Sequence, residues 1–178
     1  MSDELLGNLL GAGEPAGLGP AVRAGVLSPA DAEQAAAAAC ASVGVDGPRA
    51  DCVHALVLLW NDHLDRAHGL VQDLSGADAA WVHGIMHRRE PDFSNAQYWF
   101  HRVGRHAAFA ALATGARAAL GVEHSLNAVL VPDGRWDPMA FIREVERATR
   151  ARDAATESVL RTLQRAEFMA LGHHLLGA

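Results

Sequence analysis

The sequence predicts an all-α single domain, a bundle of about seven helices, and three observations lead there. Apolar residues recur at helical spacing through most of the 178 residues. The only strand-like run is Val129-Leu130-Val131, so no alternation of strands and helices can be built. Glycine and proline divide the chain into helix-length pieces, and no piece repeats another. A chain of this length fits one domain, 1–178, with a core large enough to need no disulfide or metal staple.

Residues 1–27 are punctuated by Gly and Pro and are expected to be loosely ordered, with one short helix over about residues 3–10. Ser28-Pro29-Ala30-Asp31 supplies a cap, a first-turn proline and an acid that suits the helix dipole. It opens a helix to about Ser42, ended by Gly44 to Pro48. A long helix follows over about residues 49–74, with Val53, Leu56, Trp60, Leu64, Val71 and Leu74 on one stripe. Gly76 separates it from a helix over about 77–89, which Pro91 stops. Ser94 caps the next helix to Val103, and Gly104 breaks it. An Ala-rich helix spans 106–120, a looser stretch covers 121–135, and Asp137-Pro138 opens another helix, with Trp136 as a packing anchor beside that cap. The tail, 153–176, reads as a long amphipathic helix.

Composition excludes several classes of function. Net charge is −6, and all 15 basic residues are arginine. The arginines between 143 and 165 alternate with acids at helical spacing, the pattern of a solvated face rather than of a nucleic-acid stripe. No apolar run approaches the roughly 20 residues needed to span a bilayer, so no membrane partner is expected. The acidic start, Met-Ser-Asp-Glu, is unlike a signal peptide, and Cys40 and Cys52 stand apart in helical contexts. Together these predict a cytoplasmic protein with reduced thiols.

One segment departs from the Ala/Leu/Val/Gly text. Residues 81–106 hold four of the ten histidines, four arginines and five of the ten aromatic residues. Such a concentration of titratable groups among rigid rings suits a buried polar site. His83, His87 and Glu90 lie at i, i+4 and i+7, within about a sixth of a turn. Two imidazoles so spaced can reach one divalent ion, with a carboxylate completing a three-ligand face. His83-Gly-Ile-Met-His87 lacks the Glu of the zinc-protease pattern, so that chemistry has no general base here.

The long helix carries a matching polar row of His54, Asn61, Asp65, His68 and Gln72 on the shoulder of its apolar stripe, with Asp62, Arg66 and Asp73 toward solvent. On the helix after Pro91, Asn95, Tyr98, Trp99, Arg102 and His106 share a face, while Phe100 and Val103 point to the core. Arg88-Arg89-Glu90-Pro91-Asp92 has two readings. The arginines clamp an anion beside the next helix start, or Glu90 and Asp92 neutralise them. His173-His174 reads as a partner for the C-terminal helix dipole.

Asp62 to His106 resembles a family of uncharacterised bacterial and fungal proteins. The match is carried by Ala67-His68 with Gln72, by His83-Gly-Ile-Met-His87-Arg88-Arg89-Glu90-Pro91-Asp92, by Ser94-Asn95-Ala96 with Tyr98-Trp99-Phe100, and by Arg102-Val103-Gly104 with His106. It covers about a quarter of the chain. Gln97 and Ala107 stand where members of that family tend to have Lys and Pro, which puts in doubt any role for position 97. The resemblance implies a shared site and no substrate.

The expectation is therefore a pocket between the long helix and the His83/His87 helix, in an enzyme or small-molecule binder. His68, His83, His87 and Glu90 are the candidate catalytic groups, with His83 and His87 the candidate ligands of a divalent metal. Asp65, Gln72, Arg88, Arg89, Asn95, Tyr98, Trp99 and Arg102 are the candidate ligand-binding residues. Four arginines against two acids make the segment +2, which favours a small anionic molecule. The alternative is a non-catalytic helical scaffold whose polar cluster only joins helices.

Overall fold

A computed structural model describes residues 6, 7, 9, 10, 14–121 and 123–177. Among these residues there are nine α-helices, one 3-10 turn at Pro132–Gly134 and no strand. The helices are α1 (Pro29–Val43), α2 (Gly47–Trp60), α3 (Leu64–Val71), α4 (Ala77–Arg89), α5 (Phe93–Val103), α6 (Phe109–Leu120), α7 (Leu126–Leu130), α8 (Pro138–Ala151) and α9 (Ala154–Leu176). The short helix expected over 3–10 falls partly outside the described residues, and Leu6, Gly7, Leu9 and Leu10 within it are helical.

The caps follow the side chains available. Ser28 Oγ accepts from Asp31 N at 3.2 Å, and Gly44 closes α1 in the left-handed region at φ 69°. Asp92, rather than Ser94, caps α5: its Oδ1 accepts from Asn95 N at 3.1 Å and from Ser94 Oγ at 3.0 Å. A carboxylate suits the positive end of the helix better than a hydroxyl does. Asp137 and Asp153 start α8 and α9 in the same way, at 2.9 and 3.1 Å from the N–H groups of Ala140 and Thr156. Trp136 is buried beside the α8 cap, its ring centre 5.1 Å from that of Phe141.

α4 is the central helix. Every residue from Ala79 to Arg89 is buried, and α2, α3 and α5 pack around it. Gly84 lets α5 come close: a Cβ there would stand 2.5 Å from two ring carbons of Phe100. α9 closes the other side against α2, α6 and α8.

Two expectations about elements are corrected. The single helix over 49–74 is two helices, because Asp62 adopts φ 66° and is buried, not turned to solvent. Asn61 stabilises the break by donating to Val57 O at 2.9 Å and accepting from Leu27 N at 3.0 Å. The strand-like run at Val129 to Val131 lies largely in α7, where Leu126 and Leu130 bury themselves one turn apart. With no second strand to pair with, helical hydrogen bonds satisfy that backbone. No helix among the described residues is long and apolar enough to cross a membrane.

Candidate functional site

His83 and His87 project from one face of α4, and His68 meets them from α3. The His68 ring centre lies 5.4 Å from that of His83 and 5.7 Å from that of His87, and the latter two are 6.2 Å apart. Trp99 of α5 stacks on His83, with ring centres 4.0 Å apart and planes within 11°. The helical spacing of α4 and the short connection to α3 produce this meeting of three imidazoles.

The ring nitrogens are fixed by their partners. His83 Nδ1 lies 3.1 Å from Ala79 O, an acceptor only, so Nδ1 carries the proton. Its Nε2, buried and without a hydrogen-bond partner, is left with a lone pair. Burial, with the neighbouring His68 and His87, pushes the His83 pKa down and keeps the ring neutral. His87 Nδ1 lies 3.0 Å from Glu90 Oε2, which fixes the same tautomer. Asn95 Nδ2 is 3.1 and 3.3 Å from the two nitrogens of the His87 ring. With its Nδ1 proton directed at Glu90, His87 accepts the amide at Nε2, which leaves His83 Nε2 as the one unpartnered nitrogen of these two rings.

The outer edge of the cluster is exposed. Tyr98, Arg102, Glu90, Asp65 and Gln72 are exposed, while His68, Asn95 and Trp99 are half-buried. Arg102 lies over the aromatic face, 5.4 Å from the Trp99 ring centre and 5.8 Å from that of Tyr98, and Tyr98 Oη is 3.5 Å from its Nη1. No carboxylate among the described residues pairs with it. Asp65 and Glu90 border a groove of about 330 Å³ with Pro20, His63 and Arg66. Gln72, at the end of α3, has no hydrogen bond to the imidazoles. His54 and Asn61 leave the expected row because the break at Asp62 ends the helical register that α3 would have continued.

Arg88 and Arg89 are corrections. Both are fully buried in pairs inside the fold, and neither is neutralised by Glu90 or Asp92. Arg88, fully buried, donates to both oxygens of Glu167 at 3.1 and 2.5 Å and to Gln164 Oε1 at 3.1 Å, with Phe141 4.6 Å away beneath its guanidinium. Trp81 Nε1 adds a bond to Glu167 at 3.1 Å. Arg89 donates to Asp62 Oδ1 at 2.5 Å and to Leu59 O, while Arg23 takes Asp62 Oδ2 at 2.8 Å. A guanidinium buried this deeply needs a matched carboxylate. The adjacent arginines of α4 therefore fasten it in two directions, to α9 and to the Asp62 turn.

A second cluster was not anticipated. Asp78, His106 and His174 bring their ligand atoms within 4.8 Å of one another, the one such group of metal-ligating types among the described residues. His106 Nε2 is 2.8 Å and His174 Nε2 3.2 Å from Asp78 Oδ1. The hydrogen bond from His106 is the main reason that the Asp78 pKa lies below the ordinary carboxylate value. A signal existed: His174 falls 7 residues after Glu167 and 11 after Leu163, on the buried stripe of α9.

No family model, curated protein or solved structure matches the chain. The geometry alone therefore supports the functional reading that follows.

Proposed function

We propose that the face formed by α3, α4 and α5 is a small-molecule site that takes an anionic ligand, in an enzyme or a dedicated binder. One observation carries this reading: beside the Trp99 ring, the buried His83 Nε2 has no hydrogen-bond partner, while on the other side Arg102 has no carboxylate partner among the described residues. Buried polar atoms are ordinarily satisfied within the fold, so an unpartnered nitrogen beside a spare cation suits a molecule that brings its own partners. Glu90 orients His87, and Asn95 and Tyr98 supply further polar atoms at the rim. Arg102 anchors a carboxylate or phosphate group, with a guanidinium fork matched to that shape.

The scaffold reading draws on the Arg88 and Arg89 ion pairs, which fasten α4 to α9 and to the Asp62 turn. Titration of the protein with inorganic phosphate and with a short dicarboxylate, followed by NMR, separates the two. The site reading expects saturable shifts in the Trp99 indole and the histidine rings, lost in Arg102→Ala with little change in stability. A large loss of stability in Arg102→Ala, with no saturable shift in the native protein, overturns it in favour of the scaffold.

A further inference from the structure

We infer that a second site, apart from the α3–α4–α5 face, lies between the N-terminal segment, the loop over 23–27, the end of α2 and α9, and that it takes a monocarboxylate with an apolar body, of the fatty-acid kind. The carboxylate sits on Arg161 and Arg23, and the body lies against Leu9, Leu10, Val26, Leu27 and Trp60.

Shape and lining come first. A cavity of about 490 Å³ opens there, within the roughly 300–1,000 Å³ that small-molecule sites occupy. Leu9, Leu10 and Trp60 line it and belong to the buried core, whereas Leu27, also on its wall, is 42% exposed. An exposed leucine that continues a buried apolar wall leaves surface for a chain of methylenes to cover.

Charge selects the class of ligand. Arg89 and Asp62 are fully buried and Arg23 mostly so, and the two guanidiniums share that one carboxylate. Two positive charges face one negative charge, a formal surplus of +1. Burial first, and then the charges of Arg23 and Arg88, push the Arg89 pKa down against the pull of Asp62. Arg23 also donates to Glu14 O and Trp60 O, so among the described residues three of its five side-chain N–H groups have acceptors. The remaining donors belong to a residue that borders the cavity. Arg161 borders it too. Its Nη1 lies 3.8 Å from Glu14 Oε2, too far for a hydrogen bond, and the Glu14 side chain is 82% exposed. A carboxylate held that loosely yields its place to one carried by a ligand. Surplus positive charge beside apolar walls matches a molecule with one anionic end. Inorganic phosphate has no apolar body to bury here, and a neutral lipid brings no charge.

The test is calorimetric titration of the native protein with decanoate, beside acetate, decanol and decylammonium, all below the concentrations at which they form micelles. One equivalent of decanoate should bind, and the other three at least about 10-fold more weakly, since each lacks the chain or the negative charge. Arg161→Gln should weaken decanoate about 5-fold, the worth of a partly exposed ion pair. Glu14→Gln should strengthen it by removing a competing carboxylate. Leu27→Asp should abolish it, and Arg102→Ala should leave it unchanged. Arg161, Glu14 and Leu27 lie at least partly in solvent, so these variants should keep the fold, which circular dichroism checks. No saturable binding overturns the inference, as does decanol or decylammonium binding as tightly as decanoate, or decanoate binding that neither Arg161→Gln nor Leu27→Asp alters. Loss of decanoate binding in Arg102→Ala but not in Arg161→Gln places the carboxylate on the α3–α4–α5 face, which overturns the second site and leaves the anion reading of that face standing.

Discussion

At the scale of single residues, two ion pairs, Arg88–Glu167 and Arg89–Asp62, are fully buried. Arg88 and Glu167 are both fully buried and meet in a two-pronged pair. Arg88→Ala leaves the carboxylate with the Trp81 indole and no compensating charge, which should cost about 3–5 kcal/mol. Urea denaturation checks this, and Arg88→Met with Glu167→Leu should recover most of the loss, since a well-packed apolar pair can replace a buried ionic one. An Arg88→Ala protein within about 1 kcal/mol of the native would show the pair to be unimportant. The thiols give a second residue-scale expectation. Burial, with Asp78 and Asp51 nearby, raises the Cys52 pKa to about 12, and Cys40 is buried and raised as well. Neither should react with Ellman's reagent in the folded protein, and prompt labelling at neutral pH would contradict their burial. The roles of Arg88 and Arg89 were not legible in the sequence. Their charge was visible, but Glu167 stands 79 residues from Arg88 on an unrelated helix, and only the assembled fold brings the two together.

At the scale of elements, periodicity located the helices well, and its failures have one physical root. It treats each helix as continuous, so the stretch from Arg49 to Leu74 read as one rod and Asp62 fell on its wet side. In the fold, Arg89 and Arg23 share the Asp62 carboxylate at the point where Asp62 takes a positive φ and the rod breaks. The i, i+4 and i+7 pattern of His83, His87 and Glu90 was legible because it runs along one unbroken helix to the residue that caps it. The approach of His68 was legible too, since α3 and α4 are consecutive and joined by a short turn. Asp78, His106 and His174 come from three separate places, and only the stripe of α9 hinted at one of them. The close contact of α4 with α5 makes a prediction of its own. Gly84→Ala forces a methyl group to within 2.5 Å of the Phe100 ring, which is itself buried against Trp81 and Arg88. It should lower stability by about 1–3 kcal/mol, although alanine favours helices. A stabilised Gly84→Ala protein by thermal melting would mean that the two helices can slide apart freely.

At the scale of the whole molecule, Asp78, His106 and His174 form a hydrogen-bonded clasp that ties the start of α4, the turn after α5 and the end of α9 at one place, so its titration should be felt as global stability. Asp78 has its pKa lowered from 3.8, first by the hydrogen bond from His106 and further by the charges of His174, His106 and Arg49, against burial. His174 has its pKa lowered from 6.5, first by burial. Both native values lie below the unfolded ones, so the unfolded chain takes up protons first as the pH falls. The contribution of His174 is complete above 6.5 and is lost as the pH falls below that value, and that of Asp78 is lost below 3.8. The urea midpoint should therefore be flat in mildly alkaline solution, decline as the pH drops through the histidine range, and decline again in the acid range of carboxylates. Asp78→Asn should remove much of the second decline and lower the plateau, because His106 then donates to a neutral amide oxygen. His174→Gln should make the first decline shallower without erasing it, since burial depresses His83 in the same direction. A midpoint that stays level from about pH 8 to pH 5 would mean that the buried imidazoles titrate as freely in the folded chain as in the unfolded one, and that the clasp does not couple the ends of the bundle.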